Sequence, residues 1–127
     1  MVDERILALP CWRGDVTAAP LSGGLSNEIW KVDDAAGAHV LRFGVDYPFH
    51  HVNRAREAMA SRAAHAAGFA PAVEYTAPGV MVTGFVQART WGAADVAANP
   101  ERVAHLLRRF HSEMPVHVSG EAALFWV

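Results

Sequence analysis

Short runs of alternating apolar and polar residues fill positions 16–43, whereas 48–67 and 100–114 space their apolar side chains three and four apart. The alternating runs predict strands over 16–21, 25–32 and 39–43. Gly23-Gly24 separates the first two and residues 33–37 separate the next pair, which predicts a three-stranded antiparallel meander. Residues 48–67 carry the clearest helical pattern, with Pro48 in the first turn and Gly68 just past the end. Val52, Ala55, Met59, Ala63 and Ala66 define one face of that helix, and its other alanines keep it thin enough for a sheet to approach. Pro78-Gly79 is a strong turn signal between 73–75 and 80–85, so these read as a second hairpin. A further helix over 100–114 takes Asn99 as its cap and Pro100 in its first turn. It sets Val103, Leu106, Leu107 and Phe110 along one face, and Pro115 stops it. A short helix over 3–9, capped near Asp3, ends before Pro10.

Three strands, a helix, two strands, a crossing segment and a helix make an α+β arrangement. The expected architecture is a five-stranded antiparallel sheet with one main helix packed on it, followed by a linker and a C-terminal helix. Residues 1–86 form the sheet-bearing part, and 87–127 form the linker, the helix and an apolar tail. The tail carries Leu124, Phe125, Trp126 and Val127, a group expected to pack on something.

Composition narrows the class. A chain of 127 residues is one domain's worth, 52% of it is apolar, and its net charge of −2 gives no general nucleic-acid footprint and no sign of disorder. The expected partner is a small molecule or another protein. Cys11 is the only cysteine, which excludes an intrachain disulfide framework and a multi-cysteine zinc site. The N-terminal residues lack a signal-peptide pattern and no apolar run approaches a membrane span, so the expected setting is soluble and cytoplasmic.

Candidate chemistry begins at 21–27, Leu-Ser-Gly-Gly-Leu-Ser-Asn, between two strands. Paired glycines turn the backbone tightly and leave amides open to a phosphate; a plain hairpin turn is the alternative. Ser22, Ser26 and Asn27 add possible donors. On the third strand, alternation puts Arg42 on the opposite face from Leu41 and Phe43, where it can meet an anion or simply face solvent. Glu57 on the main helix has two candidate partners, Arg42 across the sheet or Arg54 within the helix. Other groupings carry less. His50-His51 with Asp46 lacks a third metal ligand and shared direction. His105 and His111 do not share a helix face. Arg13-Gly14-Asp15 reads as a surface turn, and no Gly-x-Ser-x-Gly elbow supports a hydrolase triad.

The segment 21–27, then Val40-Leu41-Arg42, Asn53-Arg54-Ala55-Arg56-Glu57, Ala67-Gly68-Phe69-Ala70-Pro71, Val82-Thr83-Gly84-Phe85-Val86 and Leu106-Leu107-Arg108-Arg109-Phe110-His111 follow a familiar order and spacing. Together they resemble the N-terminal lobe of the choline/ethanolamine kinase and aminoglycoside phosphotransferase family, a protein-kinase-like fold. The resemblance implies that Gly23, Gly24 and Ser26 lie over the phosphates of ATP. It places Arg42 as the phosphate-binding cation, Glu57 as the carboxylate that orients it, and Thr83, Phe85 and Val86 in the segment whose backbone meets adenine. His111 closes the helix leading to a second lobe. Ala88 departs from the family, which usually has glycine there. A larger departure is that no Asp follows Asp95 and no Asn follows Asn99. The family's catalytic Asp, its metal-binding Asn and Asp and its acceptor pocket belong to the second lobe. Asp95 and Asn99 are one residue too close to stand in for them and read as turn and cap residues.

The resemblance therefore implies an ATP-binding lobe, truncated before the phosphoryl-transfer centre and inactive alone. Magnesium and a small hydroxyl-bearing acceptor would join it only with a C-terminal lobe. The alternative is a non-catalytic binding or self-assembly module, homo-oligomeric through apolar surface around Phe85, Trp91, Phe110 and the Phe125-Trp126-Val127 end.

Overall fold

In the computed structural model, which describes residues 1–22 and 27–120, the strands are β1 (Thr17–Leu21), β2 (Glu28–Asp34), β3 (Gly37–Phe43), β4 (Val73–Ala77) and β5 (Val80–Gly84). They form one antiparallel sheet in the order β1-β2-β3-β5-β4. The meander and the later hairpin are therefore joined through β3 and β5. Both turns have local causes. Asp34 Oδ1 accepts hydrogen bonds from the amides of Ala36 and Gly37, at 2.8 and 3.2 Å, and Gly37 takes a φ of 135°. In the other turn Pro78 precedes Gly79, whose φ of 72° favours a residue without Cβ.

Register divides the side chains between two faces. Trp30, Leu41 and Val82 stand opposite one another on one face, and Ile29, Arg42 and Met81 on the other. The first face holds the tightest core, in which Ile6, Val32, Leu41 and Val82 are fully buried and Trp12, Trp30, Phe43 and Tyr75 pack around them. Each such aliphatic side chain contributes about 1.5–3 kcal/mol by leaving water. Ile6 comes from α1 (Glu4–Leu7), capped by Asp3 and shorter than the 3–9 expected. Trp12 Nε1 donates to the Ile6 carbonyl at 2.7 Å, which ties the N-terminal segment down as a cover. Arg5 fastens its edge, pairing with both Asp3 and Glu28 at 2.7 Å.

The main helix, α2 (Arg54–Ala66), packs on the opposite face, nearest β4, as an α+β fold with one helix on the sheet requires. It starts later than residue 48. Pro48–His50 is a separate 3₁₀ turn, His51 adopts a left-handed φ of 56°, and Tyr47 and Val52 pair backbone to backbone. Asn53 then starts α2, its side chain accepting from the Arg56 amide at 2.9 Å. Val52 is therefore off the helix. The buried alanines are Ala58 and Ala63, whereas Ala55 and Ala66 are exposed. The expected stripe is rotated because charged residues take part of the sheet-facing side.

Two further helices follow, the short α3 (Ala93–Ala98) and α4 (Pro100–Glu113), and a 3₁₀ turn at Met114–Val116 comes after them. The crossing segment thus contains a helix that the alternation of residues did not reveal. Asn99 occupies the N-cap position of α4 and its carbonyl accepts from the Val103 amide at 3.1 Å, but its side chain makes no capping bond there; Nδ2 donates to the Asp95 carbonyl at 2.8 Å and closes α3. Phe110 meets Phe69 edge-on at 5.3 Å, but Leu106 and Leu107 are half exposed. Among the described residues no helix is long and apolar enough to cross a membrane.

Candidate functional site

Strand alternation turns Arg42 toward α2, and the first turn of α2 presents Glu57 to it. Arg42 Nη2 lies 2.8 Å from Glu57 Oε2, and Arg54 Nη1 donates to the same oxygen at 2.9 Å. The two partners foreseen for Glu57 are thus taken together rather than one in place of the other. Arg54 is held from further sides. Its Nε donates to the Val45 carbonyl at 2.8 Å, its amide donates to Asp46 Oδ1 at 2.7 Å, and its guanidinium lies 5.9 Å from the Tyr47 ring centroid. The Arg54 side chain is only 10% exposed and that of Arg42 20%, against 36% for Glu57. One carboxylate is therefore shared by two guanidinium groups that have largely left bulk water, an arrangement that requires charge-assisted hydrogen bonds to be tolerated.

Gly44, just after β3, makes room for this cluster. A Cβ there would stand 2.6 Å from Asn27 Oδ1 and 2.9 Å from both Cζ and Nη2 of Arg54. Asn27 and Arg54 thus converge over the glycine. Asn27 Oδ1 is buried and has no hydrogen-bond partner among the described residues. The Gly44 amide donates to the Gly79 carbonyl at 2.9 Å, so the end of β3 and the β4–β5 turn are joined at the same end of the sheet as Asn27, which precedes β2. Gly23, Gly24 and Ser26 lie outside the described residues.

Thr83 stands opposite Val40, on the same face as Arg42 and about 7 Å further along β3 by strand geometry. The Phe85 amide donates to the Ala38 carbonyl at 3.0 Å, and Lys31 Nζ lies 5.2 Å from the Phe85 ring centroid. Val86 follows in the open, 60% exposed. The structure thus brings Arg42 and Glu57 into contact, sets Thr83 and Phe85 toward the other end of the same face, and leaves Val86 beyond the sheet. Arg54, Gly44 and Asn27 complete the polar cluster. Arg54 was legible as a residue three before Glu57 and Asn27 as a possible donor beside the glycine pair, whereas the part played by Gly44 became visible only once the strand ends met.

A second polar cluster lies on the N-terminal face. His39 is buried, its Nε2 lies 2.9 Å from Asp34 Oδ1, and its Nδ1 meets Glu74 Oε2. Carboxylates accept on both sides, so the ring serves them best as an imidazolium. Burial works against that charge, but the bonds to Asp34 and Glu74 outweigh it and raise the His39 pKa. Asp34 is held well below the usual carboxylate range by the Arg13 amide, then by His39. That amide donates to Asp34 Oδ2 at 2.7 Å, and the Arg13 carbonyl accepts from Ala35, so Arg13-Gly14-Asp15 is a turn docked on the β2–β3 connection.

Among the described residues no group of three or more His, Cys, Asp or Glu side chains could hold a metal ion. Asp46 is engaged by Arg54, and His50 packs edge-on against Phe49 at 5.2 Å. No family model, no curated protein and no solved structure matches this chain.

Proposed function

We propose that this chain is the ATP-binding lobe of a small-molecule phosphotransferase resembling the choline/ethanolamine kinases and aminoglycoside phosphotransferases. The observation that carries the reading is the Arg42–Glu57 ion pair between β3 and α2. A cation that must meet a phosphate oxygen in a fixed direction needs a carboxylate behind it, and this pair has that form. Arg42 uses one terminal nitrogen on Glu57 and keeps further N–H groups for an anion. On the same face Ile29 and Val40 are half buried, which suits the purine of a nucleotide. ATP would supply the transferable phosphoryl group. This chain's residues would orient the phosphates through Arg42 and meet the adenine edge with the backbone of 83–86. Magnesium would be held by residues of a second lobe, so the chain alone binds nucleotide and transfers nothing.

The test is calorimetric titration with ATP, repeated on Arg42→Ala and Glu57→Gln. Saturable binding that weakens at least about tenfold in Arg42→Ala, the worth of one charge-assisted contact, supports the reading. Absence of binding to the folded protein, or binding unchanged in Arg42→Ala, overturns it.

A second reading, a non-catalytic self-assembly module, is favoured by the half-exposed Leu106 and Leu107 on α4. Sedimentation separates the two. Association that rises with concentration and is lost in Leu107→Glu, without nucleotide binding, selects the module.

A further inference from the structure

Between α2 and the β4–β5 hairpin lies a cleft of about 670 Å³, within the roughly 300–1,000 Å³ of small-molecule sites. None of Thr83, Phe85 and Val86 lines it, and it opens beside the Pro78-Gly79 turn. Its helix wall is a ridge at i, i+4 and i+8: Arg54, Ala58 and Arg62. Ala58 is 8% exposed and too short to fill the space between the two arginines. Opposite it, Thr76, Ala77 and Met81 form the strand wall, and Arg42 stands at the inner end.

Three guanidinium groups line this cleft, and the carboxylates among them are Asp46 and the Glu57 shared by Arg42 and Arg54. Among the described residues the guanidinium groups of this cleft exceed those carboxylates by one positive charge, and Arg62, which meets a hydroxyl rather than a carboxylate, carries it. Arg62 is the outer member. Its Nη2 donates to Thr76 Oγ1 at 2.9 Å, which bridges the mouth and holds the guanidinium over the cleft. Walls of alanine, proline and methionine favour a compact apolar body, and the arginines favour an anionic group.

We propose that this cleft binds a small ligand carrying a phosphate monoester or carboxylate on a compact apolar body, with the anion between Arg54 and Arg62 above Ala58. The site does not depend on the nucleotide reading. Arg42 and its partner Glu57 are common to both, so the test uses Arg62 and Thr76.

The experiment is an amide-resolved NMR titration of the full chain at low ionic strength with phenyl phosphate, benzoate and, as the uncharged control, benzyl alcohol. Saturable shifts at Ala58, Thr76, Ala77 and Gly79 with at least one anion, and none with the alcohol, are expected. Phosphate or carboxylate preference then names the ligand class. Arg62→Ala should weaken binding at least about tenfold, Arg62→Lys by less, and Thr76→Val by a few fold through loss of the bridge. Arg62 is exposed, so its variants leave the core intact. The proposal is overturned if neither anion gives saturable shifts at these amides, if the alcohol shifts them equally, or if Arg62→Ala titrates like the parent protein.

Discussion

Arg42 Nη2 and Glu57 Oε2 meet at 2.8 Å across the boundary between sheet and helix, and the contact fixes the rotation of α2 about its own axis. Turning the helix by one residue would carry the carboxylate and Arg54 about 100° away and leave the largely buried Arg42 guanidinium without its partner. The buried residues of α2 are Ala58 and Ala63, too small to enforce that rotation by shape. Polar pairing therefore sets the geometry of the site, and hydrophobic packing on the other face supplies most of the stability.

Glu57→Gln keeps the size of the side chain and removes the charge shared by Arg42 and Arg54. Its carboxylate is over a third exposed, so the expected loss is about 1–2 kcal/mol rather than that of a fully buried pair. Urea denaturation with an unchanged m-value checks this.

Gly44→Ala puts a methyl group where Asn27 Oδ1 and the Arg54 guanidinium already stand, at 2.6 and 2.9 Å. Overpacking of this kind costs about 1–3 kcal/mol. It should also displace Arg54, so that in the double variant Gly44→Ala/Glu57→Gln the two losses fall short of additivity. A double-mutant cycle reads that coupling.

Ile6→Ala tests whether the N-terminal segment is core or ornament. Ile6 is fully buried against Val32, Leu41 and Val82, and its removal should destabilise the protein by about 2–5 kcal/mol. The equivalent change at half-exposed Leu107 should cost far less.

His39 makes stability depend on pH. Its folded pKa is raised, so its contribution is complete below the unfolded value of about 6.5 and is lost as pH rises through the folded value. Asp34 behaves oppositely. Its pKa is depressed, so its contribution is complete above about 3.9 and is lost as pH falls through the folded value. The urea midpoint should thus peak between about pH 4 and 6.5 and decline as pH rises above that window. His39→Asn should flatten the alkaline limb, and Glu74→Gln should make it shallower.

Elements written in local sequence were legible. The Pro78-Gly79 hairpin, the turn after Asp34 and the alternation in β2 and β3 predicted the antiparallel sheet, because turn chemistry and side-chain period act over a few residues. The start of α2 was not legible. Pro48 suits a first helical turn, but the Tyr47–Val52 pairing and the left-handed His51 interrupt the chain before Asn53 can cap. Asn99 likewise had the composition of an α4 cap, and a carbonyl of α3 took its side chain.

The site divides in the same way. Arg42 and Glu57 could be named from residue type and spacing, and the sequence alone determined that Arg42 would leave the Leu41 face, because a strand alternates without regard to its surroundings. Only the tertiary structure decided that Glu57 would serve Arg42 and Arg54 at once, that Gly44 would make room for Arg54, and that Arg62 and Thr76 would bridge a cleft. Those contacts join residues far apart in the chain, and their energies depend on desolvation and distance, which exist only after the sheet and helix have packed.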